Sequence, residues 1–214
     1  MVDLRSDRIE PGRLQRAEDW NLARATGTAA WLLHAYTRMR TIRIFERRCS
    51  ELSGGVRPLV AGSVHTCEGH EAIPVGTLAE LGIQDRIVAT YRGHGWLLEA
   101  GVPLDHLMAE LCHRSTGING GRAGSPYIMA PEYGVLGENS IVGAGVPIAC
   151  GAALAFQRQS RDGVVVVSFG DGAMSQGAVH EGMVFAAAER LPVVMICENN
   201  GWSELTPTAD LLRI

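Results

Sequence analysis

Two short segments carry the residue types that a phosphate-bearing ligand and a hard metal ion require. They are Gly170-Asp171-Gly172 and, after 26 intervening residues, Asn199-Asn200. Magnesium prefers oxygen ligands in an octahedron and takes only a few from protein, the rest coming from phosphate and water. The carboxylate of Asp171 and the amide oxygen of Asn200 supply two such ligands, and the backbone carbonyl of Trp202 can supply a third. Gly172 and Ala173 stand where backbone N–H groups entering a helix meet phosphate oxygens. Taken alone, Asp-Gly is a common hairpin turn and Asn-Asn-Gly a common loop, so the placement of the two segments has to decide.

That placement follows from the flanking elements. Residues 164–169 and 193–197 are runs of Val, Ile and Phe without alternation, the pattern of strands covered on both faces. A helix over 177–190 joins them, which makes a βαβ unit with parallel strands and a right-handed crossover. Both polar segments then sit at carboxyl ends of parallel strands, where open α/β sheets place ligands. A small-residue helix is predicted over 146–157. Upstream the chain reads as mainly helical. Residues 28–52 place Trp31, Leu32, Tyr36, Met39, Ile42 and Phe45 close to the 3.6 period of one long helix. A helix over 71–81, an extended segment over 86–90 and a helix over 96–112, broken near 101–103, follow. Residues 115–145 have glycines at 117, 120, 121, 124, 134, 137, 143 and 145 and no regular pattern. A loop of that length in a compact domain is usually functional, and its glycines permit close approach to a ligand. The fold class is α/β, a parallel sheet flanked by helices with a helical N-terminal region.

Competing motifs fail on inspection. Gly172-x4-Gly177 has P-loop spacing but continues Ala178-Val179, without the Lys and Ser/Thr that phosphate and metal need. Gly143-Ala-Gly145 lacks a glycine at position 148, so the dinucleotide fingerprint is incomplete. His70-Glu71 continues Ala-Ile-Pro, which is no zinc-binding HExxH, and Cys67-x2-His70 has no second half. A net charge of −4 and a pI near 6.0 argue against a nucleic-acid partner. The arginines of 38–48 read as the solvated face of a helix. The longest nearly apolar run, 143–156, is too short and glycine-rich for a bilayer, and residues 1–18 lack the apolar core of a secretory signal. Five scattered cysteines without a CxxC pair point to reduced thiols and a cytoplasmic protein.

The GDG…NN pair resembles the thiamine diphosphate-binding motif. Its surroundings resemble the alpha subunit of the 2-oxo acid dehydrogenases (pyruvate, branched-chain and acetoin-type). The resemblance runs from about Thr28 to the end of the chain. It includes His65-Thr-Cys-Glu-Gly-His-Glu-Ala72, Tyr91-Arg92-Gly-His94, Gly120-Gly-Arg-Ala-Gly-Ser125 and Ile141-Val-Gly-Ala144.

The resemblance implies a thiamine diphosphate-binding fold over 28–214, with 1–27 as an N-terminal extension. It implies that Tyr91 and Arg92 meet the diphosphate end of the cofactor and that the backbone at Ser140 and Val142 holds its aminopyrimidine ring. It further implies that Asp171, Asn200 and the Trp202 carbonyl bind Mg²⁺, with Gly172 and Ala173 beside them, and that His65 faces the substrate. His94 stays open between site and packing, and His70 is given no catalytic role.

The implied reaction is oxidative decarboxylation of a small 2-oxo acid, or acetoin cleavage, with the acyl group passed to a lipoyl-bearing acyltransferase. A beta subunit is the implied partner, completing a heterotetramer and supplying the carboxylate that activates the aminopyrimidine. Two departures qualify this. Relatives carry Ser-Met-His where this chain has Ser125-Pro126-Tyr127, and they continue past the point where this chain stops. Residues 211–214 read as an element cut midway, so the C-terminal part of the fold is expected to be missing. A non-catalytic remnant that keeps part of the cofactor site is the alternative reading.

Overall fold

A computed structural model of the chain describes residues 10–60 and 62–212. The first nine residues of the expected extension, and Arg213 and Ile214 of the expected cut element, lie outside the described residues. The elements run α1 (Pro11–Thr26), α2 (Thr28–Ser53), α3 (Ala72–Leu78), β1 (Arg86–Thr90), α4 (His94–Glu99), α5 (Leu104–Leu111), β2 (Val135–Asn139), α6 (Gly145–Arg158), β3 (Val165–Gly170), α7 (Gly177–Glu189) and β4 (Val193–Glu198). A two-stranded hairpin, β5 (Trp202–Ser203) with β6 (Thr206–Pro207), and the short α8 (Thr208–Leu211) follow.

β1 to β4 form one parallel sheet in the order β2-β1-β3-β4. The period-2 geometry of a strand divides its side chains between two helical layers. Ile87 and Ala89 of β1 and Val166 of β3 face a core built with Trp20, Ile42, Phe45, Trp96, Leu107 and Leu111 from α1, α2, α4 and α5. Val88 of β1 and Val165, Val167 and Phe169 of β3 face the opposite core, with Val146, Ala149, Ala153 and Val179 from α6 and α7. The expected sheet covered on both faces is therefore the one found. The α6–α7 contact is close enough that a side chain on Gly182 would come within 2.7 Å of Val146 Cγ1.

The structure differs from expectation in the glycine-rich stretch, which contains β2 and, just before it, a 3₁₀ turn over Pro131–Tyr133. β2 has the sequence Val-Leu-Gly-Glu-Asn, and its register slips so that Ile87 pairs Val135 while Val88 pairs Gly137. Leu136 is the extra residue of that bulge, which hides the strand from a reading of alternation. α3 is shorter than the predicted 71–81 helix, while the 96–112 stretch breaks where expected, around Gly101, whose φ is +101°.

Residues 11–26 of the expected extension form α1, whose sequence is poor in apolar residues. Its arginines attach it by bonding main-chain carbonyls. Arg13 donates to Asp85 O (2.7 Å), Arg16 to Leu78 O (2.6 Å) and Arg24 to Ala79 O (3.0 Å). Trp20 Nε1 donates to Glu99 Oε1 at 2.8 Å, and Arg38 of α2 holds the other oxygen of that carboxylate. No helix among the described residues is long and apolar enough to cross a membrane.

Candidate functional site

From β1 the chain passes to β2 on one side, then returns across β1 to β3 and β4 on the other. The order reverses between β1 and β3, and ligands of open α/β sheets bind outside the carboxyl ends at such a switch point. A cleft of about 440 Å³ opens there, within the usual range for a cofactor pocket. All ten residues picked out from sequence line it: His65, Tyr91, Arg92, Ser140, Val142, Asp171, Gly172, Ala173, Asn200 and Trp202.

The end of β1 supplies the cationic wall. The Arg92 guanidinium donates to Thr66 O at 2.7 Å, lies 6.0 Å from the Tyr91 ring centre, and makes no ion pair among the described residues. The His65 ring meets Tyr91 edge-on, with ring centres 4.7 Å apart. Burial, with the positive charge of Arg92 next in weight, pushes the His65 imidazole below its ordinary pKa, so it is a neutral acceptor at physiological pH. At the end of β2, Ser140 Oγ donates to the Tyr127 hydroxyl at 2.7 Å. Tyr127 thus touches a cleft residue, while Ile141 and Val142 leave apolar surface exposed beside it.

The ends of β3 and β4 form the oxygen-rich floor. Asp171 is 5% exposed; its Oδ2 accepts the Gly201 N–H (3.0 Å) and its Oδ1 the Asn200 N–H (3.4 Å). Among the described residues no cation pairs with this buried carboxylate. The Asn200 amide oxygen accepts the Trp202 N–H at 2.8 Å, which leaves it one lone pair. A buried, cation-free carboxylate beside an amide oxygen is a donor set of the kind Mg²⁺ takes, so these residues fit the metal. One detail differs from expectation: Gly172 and Ala173 lie in a 3₁₀ turn, Asp171–Ser175, that precedes α7. The tight turn packs on the β5–β6 hairpin, and a side chain at Gly172 would approach Ser203 Oγ to 2.7 Å.

Sequence reasoning missed several buried acids. Glu198 lines the cleft floor, accepts Trp96 Nε1 (3.0 Å) through Oε1 and places Oε2 3.5 Å from His70 Nδ1. Its adjacency to Asn199-Asn200 was the available signal. Glu110 of α5 has no exposure, and its carboxylate gathers the N–H groups of Asn119 (2.8 Å), Gly121 (2.8 Å) and Ala123 (2.7 Å). Burial raises its pKa, but these amides outweigh that and hold it below the ordinary value. Glu138 of β2 is 8% exposed; one oxygen accepts the Ile128 N–H (2.9 Å) and the other has no partner. Burial pushes its pKa up to about 8. His94 does not line the cleft and is wholly buried behind it.

Comparison with known proteins agrees with this architecture. The dehydrogenase E1 component family matches residues 36–211. The alpha subunit of acetoin:2,6-dichlorophenolindophenol oxidoreductase from Bacillus subtilis is 44% identical over 180 residues, covering 84% of this chain and 52% of its own length. The pyruvate dehydrogenase E1 component subunit alpha of Zymomonas mobilis is 41% identical over 173 residues (80% and 48%). The human mitochondrial somatic form of that subunit is 36% identical over 168 residues (78% and 42%). The chain belongs to the dehydrogenase E1 component family. It spans about half the length of these relatives.

Proposed function

We propose that this chain binds thiamine diphosphate together with Mg²⁺ and acts as the alpha-type component of an oxidoreductase acting on a 2-oxo acid or acetoin. The observation that carries the reading is the convergence of ten residues from five separate segments on one cleft at the switch point. Bound there, the cofactor supplies the electron sink that decarboxylation of a 2-oxo acid needs. Asp171, Asn200 and the Trp202 carbonyl hold the metal, and Arg92 with the amides of Gly172 and Ala173 neutralises the diphosphate. Ser140 and Val142 orient the aminopyrimidine through their backbone. His65, kept neutral by its surroundings, accepts or returns a proton at its free ring nitrogen on the substrate side. A beta-type partner completes the site and brings the activating carboxylate, and a lipoyl-bearing carrier receives the acyl group. The five unpaired cysteines suit a reducing cytoplasm.

Titration with thiamine diphosphate and Mg²⁺, followed by calorimetry or tryptophan fluorescence, tests the site. Asp171→Ala abolishes metal-dependent binding on this reading, and unchanged affinity in that variant refutes the metal assignment. Co-expression with a beta-type chain, followed by 2-oxo acid oxidation with an artificial acceptor, tests the reaction. A stable, cofactor-loaded complex without turnover sinks the enzyme reading and leaves a non-catalytic cofactor binder.

A further inference from the structure

Behind the cleft wall, His94 forms two hydrogen bonds in a fully buried line. Its Nδ1 lies 3.0 Å from Glu46 Oε2, and its Nε2 lies 2.9 Å from Ser125 Oγ. Glu46 and His94 have no exposure and Ser125 has 2%, so the serine is out of reach of any substrate and this is no nucleophilic triad. A metal reading fails as well. Cys49 lies near enough to join Glu46 and His94, but both imidazole nitrogens are already engaged.

The significance lies in what each member is attached to. The second oxygen of Glu46 accepts the Cys67 N–H at 3.0 Å, two residues from His65. His94 itself stands two residues after Arg92, and Ser125 two residues before Tyr127, which receives the Ser140 hydroxyl. One helix, α2, thus holds the 65–67 segment directly through the Glu46 carboxylate and, through one imidazole, the 91–94 segment and the 125–127 segment that touches Ser140 at the cleft. β2 closes the fourth side with Glu138, and Gly93 lacks a side chain where one would overlap that carboxyl. Burial favours the neutral ring of His94, but the charge of the Glu46 carboxylate and its hydrogen bond to the ring, with the Ser125 contact, together outweigh it and hold the imidazole pKa above its ordinary value. A charged imidazole donates from both nitrogens, which is what a clamp between a carboxylate and a hydroxyl needs. Charge-assisted bonds of this kind in a dry interior are among the stronger ones available to a protein.

We propose that His94 is a positioning residue, the hub of a buried Glu46–His94–Ser125 relay that sets the relative placement of the segments carrying His65, Tyr91–Arg92 and Tyr127. The consequence for ligand affinity rests on the cofactor reading above; the mechanical coupling does not.

Ser125→Ala removes one hydroxyl without a charge, and Glu46→Gln keeps an acceptor for Cys67 while removing the charge that holds the His94 proton. Nitrogen-15 NMR of the imidazole reports a doubly protonated His94 near neutral pH in the native chain and in Ser125→Ala, and a neutral ring in Glu46→Gln. Amide hydrogen exchange by mass spectrometry is expected to speed up about tenfold or more in all three segments (64–67, 91–94 and 122–127) in either variant. Acceleration confined to the segment nearest the substitution, or a neutral His94 in the native chain, overturns the hub. In the binding titration with thiamine diphosphate and Mg²⁺, both variants weaken the affinity about tenfold while staying folded at the assay temperature. Unchanged affinity with all three segments loosened overturns the claim that the relay sets the cleft. A native chain that takes up no cofactor counts against the proposed function, and exchange and NMR still decide the hub.

Discussion

Replacing Glu138 by glutamine removes a titration whose size and direction follow from the structure. The carboxyl is buried, has an oxygen without a partner, and keeps its proton up to about pH 8 in the folded chain, against a reference value of 4.5. The unfolded chain gives that proton up near 4.5, so between these values the native state binds more protons than the unfolded one. Stability therefore falls as pH rises through that window, having been complete below it. With 1.36 kcal/mol per pKa unit, the native protein loses about 2.5 kcal/mol between pH 5 and pH 7 from this residue. Glutamine is close in shape, still accepts the Ile128 N–H through its amide oxygen, and does not titrate. Urea unfolding of both proteins at intervals from pH 5 to pH 8 gives two stability curves. Their difference cancels every group not coupled to Glu138 and should grow steadily in favour of Glu138→Gln. Parallel curves, with a gap that stays constant to within about 0.5 kcal/mol, would refute a neutral buried carboxyl.

Two further changes address the loops around the cleft. Glu110→Ala leaves the part-buried N–H groups of Asn119, Gly121 and Ala123 without their acceptor, a cost of about 3 kcal/mol; a urea midpoint shift equivalent to less than about 1 kcal/mol would contradict the cage. Gly172→Ala forces a methyl against Ser203 and should lower affinity for thiamine diphosphate with Mg²⁺ by about tenfold, roughly the effect of 1.4 kcal/mol. Adding Ser203→Gly should restore much of that loss, and equal affinity in the single and double variants would show that the contact does not matter.

How much of this was legible in the sequence depended on the range of the interactions. β1, β3 and β4 announce themselves as apolar runs because each is packed by helices on both faces, whereas the bulged, glycine-bearing β2 gives no such run. The Asp171 and Asn200 segments were legible because the two apolar runs put both at carboxyl ends of parallel strands, a placement that neither turn motif alone would explain. Glu46, His94 and Ser125 were not, since their pairings span 48 and 31 residues and no local pattern marks a histidine as buried and charged. His94 could only be left open between two roles. Glu110 was hidden for the same reason: its partners are backbone amides of a loop, and a backbone amide carries no sequence signature.

The attachment of α1 has a related consequence for how this fold tolerates change. Arg13, Arg16 and Arg24 grip the carbonyl oxygens of Asp85, Leu78 and Ala79, groups that every amino acid possesses. These three anchors recognise the path of the main chain, so side chains facing solvent around 79–84 are free to drift without disturbing them, Glu80 excepted, which pairs with Arg24 at 2.8 Å. The arginines have no such latitude, because a lysine offers a point charge in place of a planar fork. Substitutions accumulating in this region should consequently be lopsided, with one surface fixed in residue type and its opposite number fixed only in shape.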